Sequence, residues 1–222
     1  MSTKKTSIWF IINPISGTRR KKKIPTLIRK YLNHDKFTYK LFYTQYKGHA
    51  GEITRDAVAK EIEIVCAVGG DGSAHEVGVN LIHTDSKLAI IPRGSGNGIS
   101  NHMGIPNRTI RAIRCLNKCF SISVDTVAVN NSHFLGIGGY GIDAFIAKKF
   151  DRNKKRGLKT YIKHTVKEFY KFKPIQVEIE IEEKSKKVEA FLLSIANTSE
   201  FGNRFALSPK SSVQDGIIEM VI

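Results

Sequence analysis

Three short runs in the first half of the chain, residues 8–12, 62–68 and 87–91, are almost wholly apolar and rich in β-branched side chains. A strand that is apolar on both faces must be covered on both. That is the mark of a parallel sheet layered between helices. The segments between the runs agree. Ile24, Leu27, Ile28, Tyr31 and Leu32 recur at helical spacing, and residues 37–44 alternate like a strand. Residues 48–60 read as a helix with Ala50, Ile53 and Ala57 inward, 76–83 as a short helix, and 106–118 as a helix carrying Ile110, Ile113 and Leu116. Strand and helix alternate at short spacing, so residues 1–121 are expected to form an α/β domain around a parallel sheet.

The pattern changes beyond Ser121. Residues 122–129 and 133–137 read as strands joined by the turn pair Asn130-Asn131. Residues 158–172 read as an amphipathic helix with Leu158, Ile162, Thr165, Val166 and Phe169 on one face. Residues 175–182 alternate, 184–187 read as a polar turn, and 188–196, 205–207 and 217–222 read as further strands. Residues 122–222 are therefore expected to be a second, mainly antiparallel β domain.

Composition limits the partners. The chain has 36 Lys+Arg against 20 Asp+Glu, a formal charge of +16. Such a balance favours phosphates, nucleic acid or an acidic membrane surface. No zinc, RNP-like or helix-turn-helix signature supports nucleic acid. The cysteines, Cys66, Cys115 and Cys119, include no CxxC pair, so a reducing, cytoplasmic setting is expected. No apolar stretch approaches the length of a membrane span, so any membrane contact is expected to be peripheral.

Two glycine segments carry the chemistry. Gly69-Gly70-Asp71-Gly72-Ser73 follows the run 62–68, and Arg93-Gly94-Ser95-Gly96-Asn97-Gly98 follows the run 87–91. In open α/β sheets ligands bind at the carboxyl ends of strands, where glycine lets backbone N–H groups approach phosphate oxygens. Asp71 places a carboxylate among those donors, suited to holding Mg²⁺ or accepting the proton of an attacking hydroxyl. Either segment alone is also a tight turn; after consecutive strands, both would line one crevice. Neither is a Walker A loop. A G-x-G-x-x-G match at Gly136–Gly141 follows a hairpin, not the first strand of a βαβ unit, and is rejected as a dinucleotide fingerprint. His49 and His75 read as structural or phosphate-adjacent rather than as metal ligands, because no second ligand stands at zinc spacing.

The ordered set Asn13-Pro14-Ile15-Ser16-Gly17, Thr44 with His49-Ala50, GGDGSAHEV from Gly69 and IPRGSGNGIS from Ile91 resembles the diacylglycerol kinase and sphingosine kinase family of lipid kinases. Val124-Asp125, Gly139 to Ala144 and Asp215-Gly216 continue the resemblance. It implies an α/β domain related to that of NAD kinases, then a β-sandwich, with ATP between them. It further implies ATP contacts from Asn13, Thr44, Gly69, Gly70, Asp71, Gly72, Ser73, Ala74, His75, Ser95, Gly96 and Asn97. By the same likeness Asp71 is the catalytic carboxylate and Asp143 sits near the lipid head group. Asp215 and the carbonyls of Ser212 and Ile217 would hold a structural Mg²⁺. The implied acceptor is a hydroxyl of diacylglycerol, a sphingoid base or a related lipid; an NAD kinase-like enzyme and a catalytically impaired nucleotide-binding homologue are the alternatives.

His75 and Gly94–Gly98 look more like sphingosine kinases and their bacterial relatives, whereas most bacterial diacylglycerol kinases have Asn at the first position and Thr, then Asn-Asp, in the second motif. Arg93 stands where the family usually has small residues, and by that resemblance is expected to add a phosphate contact. Basic runs at Arg19–Lys23 and Lys148–Lys159 suit an anionic bilayer, and a homodimer is allowed. The chain stops at Ile222 within an apparent strand, whereas the family continues to a further catalytic carboxylate. A shortened chain and an impaired activity are both compatible with this.

Overall fold

The structure, a computed structural model, describes residues 4–15, 23–142, 172–202 and 205–222. The first half runs β1 (Thr6–Ile12), α1 (Ile24–Tyr31), β2 (Phe37–Tyr43), α2 (His49–Ala59), β3 (Ile64–Gly69), α3 (Asp71–Gly78), β4 (Lys87–Pro92), α4 (Gly98–His102) and α5 (Thr109–Leu116). Its four strands form one parallel sheet in the order β2-β1-β3-β4.

The apolar runs make this sheet because each strand is covered twice. β1 sends Ile8, Phe10 and Ile12 to one face, where Ile24 and Ile28 of α1 and Ala112 and Ile113 of α5 close over them. It sends Trp9 and Ile11 to the other, against Ala50, Ile53 and Ala57 of α2 and Val77 of α3. Burying each large side chain contributes about 1.5–3 kcal/mol. Register then aligns the strand ends. Ile12 stands beside Tyr43 on one side and Val68 on the other, and Gly69 stands beside Pro92. Pairing continues one residue further: Asn13 N–H donates to Val68 O, Thr44 N–H to Ile12 O and Arg93 N–H to Gly69 O. Asn13, Thr44, Gly70 and Gly94 therefore emerge at one rim. The chain passes from the β2 side of β1 to its β3 side between β2 and β3, which makes this rim a topological switch point, where such sheets bind ligands.

The third helix departs from expectation. It starts at Asp71, not near residue 76, and ends at Gly78. The glycines of the segment suggest a loop, but Gly70 is its N-cap and Asp71 lies in its first turn, where a carboxylate suits the positive end of the helix.

The second half contains β5 (Val127–Val129), β6 (Ser132–Phe134), β7 (Ile137–Gly141), β8 (Ile175–Ile181), β9 (Lys184–Ala190), β10 (Leu192–Ala196), β11 (Glu200–Gly202), β12 (Phe205–Ala206) and β13 (Glu219–Val221). β7, β10 and β13 form an antiparallel sheet in the order β13-β10-β7, and β5-β6, β8-β9 and β11-β12 form antiparallel pairs. The fold class is thus a parallel α/β sheet followed by antiparallel β structure. The expected turn between β5 and β6 is present, with Asn130 at φ 52°. The glycine match at Gly136–Gly141 lies largely in β7, inside an antiparallel sheet, in keeping with its rejection.

Two expectations in this half are corrected. Lys184 to Lys187 are not a turn; they pair with Ile181 back to Glu178, and the turn is Glu182-Glu183. Charge there marks a solvent-facing strand: Lys187 approaches Glu178 across the pair at 3.9 Å. Nor is 188–196 one strand. It breaks at Phe191, where Ala190 ends the pairing with Ile175 and Leu192 begins the pairing with Gly141. Asp143, the basic run at Lys148–Lys159, residues 158–171 of the helix expected over 158–172 and most of the run at Arg19–Lys23 lie outside the described residues.

Glu182 and Glu183 occupy a two-residue hairpin turn at φ 47° and 65°, positions that favour Asn and Gly. The double change Glu182→Asn, Glu183→Gly should stabilise the chain by about 1 kcal/mol. The urea unfolding midpoint would rise; an unchanged or lower midpoint contradicts the turn geometry.

Candidate functional site

At the shared rim the two glycine segments touch backbone to backbone. A Cβ built on Gly70 would lie 2.9 Å from Gly94 Cα, and one on Gly94 would lie 2.5 Å from Gly70 Cα. Real side chains do not occupy such space, so glycine at both positions is what lets the segments meet. The cleft beside this contact has a volume of about 650 Å³. Asn13, Thr44, Gly70, Asp71, Gly72, Ser73, His75, Ser95 and Gly96 line it, from the ends of all four parallel strands.

Short polar groups fix these walls. Asn13 Oδ1 accepts the N–H of Ile15 at 3.0 Å, and its Nδ2 donates to Ser73 Oγ at 3.3 Å. Asn97, at φ 58°, accepts Gly94 N–H at 2.8 Å and donates to Gly94 O at 3.2 Å and Asn107 Oδ1 at 3.0 Å. Asn97 thus closes the second glycine loop on itself and does not line the cleft. Ala74 is buried beneath the site, and Gly69 is paired inside β3. Arg93 is also absent from the lining; its Nη1 donates to Thr109 Oγ1 of α5 at 3.3 Å.

Asp71 lies where two helix starts converge. It opens α3, and its Oδ1 accepts the N–H of Ile99 in α4 at 3.0 Å. Burial pushes its carboxyl above the usual range, while backbone N–H groups at Ile99, Asn97, Asp71 and Gly98 pull it back. The net upward direction moves this carboxyl toward the working range of a general base. α3 starts at the same cleft, and the positive end of its dipole favours an anion there. Burial also pushes His75 down, with Glu76 opposing, which favours a neutral imidazole near neutral pH.

Two features of the site were not read from the sequence. Glu76 Oε1 accepts the N–H groups of Ala50 at 2.8 Å and Gly51 at 3.2 Å, filling the start of α2 from α3. No local pattern marks a cap that lies 26 residues away. Gln45, Tyr46, Lys47 and Gly48 form a wall of the cleft, in the stretch between the two recognised positions Thr44 and His49.

The antiparallel half meets this rim through β11. A Cβ on Gly98 would lie 2.5 Å from Glu200 O, and one on Gly202 would lie 2.7 Å from Gly96 Cα. Asn101 Nδ2 donates to Glu200 Oε2 at 3.2 Å. His102 Nδ1 accepts the Ser199 N–H at 3.1 Å and its hydroxyl at 2.9 Å, which leaves the ring proton on Nε2.

Of the residues expected to hold a structural cation, Asp215 Oδ1 accepts Ile217 N–H at 3.0 Å, while Asp125 Oδ2 accepts Gly216 N–H at 2.9 Å. Two carboxylates therefore meet one turn, and each keeps one oxygen outside these bonds. Hard oxygen donors of this kind fit Mg²⁺. Among the described residues no group of three or more His, Cys, Asp or Glu forms a metal cluster.

Residues 7–129 match the family described as the diacylglycerol kinase catalytic domain, and residues 136–222 match the YegS C-terminal NAD kinase beta sandwich-like domain. Over 96% of its length the chain is 27% identical to a diacylglycerol kinase of Bacillus subtilis, covering 72% of that protein. It is equally similar to an uncharacterized Synechocystis protein, 27% over 96% of this chain but only 52% of that one, so it spans about half of this relative's length. A crystal structure of a diacylglycerol kinase from Bacillus anthracis has the same fold, with a TM-score of 0.74 at 22% identity, covering 98% of this chain and 72% of that one.

Gly94→Ala should force the two segments apart, at a loss of about 1–3 kcal/mol, read as a lower thermal midpoint; an unchanged midpoint contradicts the contact. The histidines give a second test. Burial pushes His102 down against the opposing charge of Glu200, as it does His75. A depressed folded value means stability is present above about pH 6.5 and lost as pH falls through it. Asp71, raised, acts oppositely and in a lower window. The urea midpoint should therefore fall between about pH 7 and 5, and His102→Gln should flatten that slope; equal slopes contradict the assignment.

Proposed function

The chain belongs to the diacylglycerol kinase catalytic-domain family, and on that premise we propose that it transfers the γ-phosphoryl group of ATP to a hydroxyl of a lipid, either diacylglycerol, a sphingoid base or a related alcohol. The observation that carries this reading is the Gly70–Gly94 contact with Asp71 beside it, at a rim where all four parallel strands end. Backbone N–H groups of both segments and the start of α3 would receive the phosphates. Asn13, Thr44, Ser73, His75 and Ser95 would add short polar contacts around them. Residues 1–121 would hold the nucleotide and residues 122–222 would present the lipid, with Asp143 near its head group.

Asp71 is the proposed catalytic residue. Its raised carboxyl would take the proton of the attacking hydroxyl as the oxygen approaches phosphorus. Alignment and fixed dipoles would supply most of the acceleration, because phosphoryl transfer asks little covalent chemistry of the protein. Mg²⁺, where bound, would neutralise charge on the phosphates, and Asp215 with the Ser212 and Ile217 carbonyls would hold a second, structural ion. No helix among the described residues is long and apolar enough to cross a membrane. The formal charge of +16 supports docking on an anionic bilayer.

Asp71→Asn keeps an acceptor oxygen for Ile99 N–H and removes a carboxylate that burial disfavours. It should fold at least as stably as the parent while turnover falls at least about 100-fold. The assay uses radiolabelled ATP with vesicles carrying diacylglycerol or a sphingoid base, and NAD as a control acceptor. Parent-level turnover in Asp71→Asn would refute the role of Asp71; labelling of NAD alone would refute the lipid reading.

A further inference from the structure

The cleft has one aromatic wall. Tyr46 lines it and is 54% exposed, although a large aromatic ring is ordinarily withdrawn from water. The ring is nonetheless fixed at two points. Its hydroxyl donates to Glu52 Oε2 at 2.6 Å. One face lies on His49, with centroids 4.6 Å apart and planes inclined by 8°. His49 is itself held, because its Nδ1 accepts the N–H of Gln45 at 3.1 Å. Tyr46 therefore has little freedom to swing away, and His49 covers only one of its faces.

A preorganised aromatic face in a polar cleft suits a flat, π-rich group. The glycine segments on the other side of the cleft supply backbone donors for anionic oxygens, and Tyr46 supplies none of that chemistry. We infer that Tyr46 is the platform on which the base of a purine nucleotide stacks, while the Gly70 and Gly94 segments hold its phosphates. This rests on the nucleotide reading above and assigns the base end of that ligand. The fixed ring loses little freedom on binding, so the stacking free energy is retained. His49 acts behind Tyr46 as a positioning residue, and the hydrogen bond to Glu52 pushes the titration of the phenol up.

The test is calorimetric titration of the intact chain with ADP and, separately, with inorganic tripolyphosphate, which has phosphates and no base. Tyr46→Ala should weaken ADP binding about tenfold and leave tripolyphosphate binding unchanged. Tyr46→Phe keeps the ring and should bind ADP within about twofold of the parent. Because Tyr46 is half exposed, the Ala variant should remain folded at the titration temperature, read from its thermal midpoint, which separates loss of the platform from loss of the fold. Parent-level ADP affinity in Tyr46→Ala, or an equal loss for both ligands, would overturn the platform and leave the phosphate site standing. Failure of the parent chain to bind either ligand would overturn the platform together with the nucleotide reading on which it rests.

Discussion

The contact between Gly70 and Gly94 is the constraint on which the rest of the site depends. A side chain at either position would meet the opposite main chain, so the turns after β3 and β4 could not share one rim. Their contact has sheet pairing beneath it, since Gly69 pairs with Pro92 and Arg93 N–H reaches Gly69 O. The sheet in turn owes its alignment to strands buried on both faces. Ile8, Phe10 and Ile12 on one side and Trp9 and Ile11 on the other leave the register of β1 no freedom to slip, because a shift by one would exchange the two cores.

The same economy joins the two halves. Gly98 and Gly202 allow β11 to lie directly on the second glycine segment and the start of α4. The Asn101–Glu200 and His102–Ser199 bonds then fix that approach. Asp71 sits at the junction: it opens α3 and accepts from Ile99 of α4, so the proposed catalytic residue also ties the two glycine segments together. Glu76 performs a similar task for α2, and its bond to Ala50 and Gly51 sets the start of the helix beside the Tyr46 wall.

Much of this was legible in the sequence where periodicity and chemistry agree. The apolar runs at 8–12 and 62–68 read as doubly buried strands because nothing else covers such surface. The two glycine segments read as lining one crevice because each follows a strand, and they do meet at one rim. What was illegible depended on partners distant in the chain. The start of α3 at Asp71 was hidden by glycines that signal a loop in isolation. The hairpin turn at Glu182-Glu183 was hidden because glutamate rarely takes positive φ, and the charged strand after it resembled the turn. The bracing role of Asn97 was not legible, because its partners Gly94 and Asn107 are brought to it by folding.

The central claim is that both glycine segments receive phosphates together. Amide NMR of the labelled chain, titrated with ADP and Mg²⁺, tests it residue by residue. The account predicts saturable shifts of the Gly70, Gly72, Ser95 and Gly96 amides with one common dissociation constant. Shifts confined to one segment, or to amides away from this rim, would contradict it.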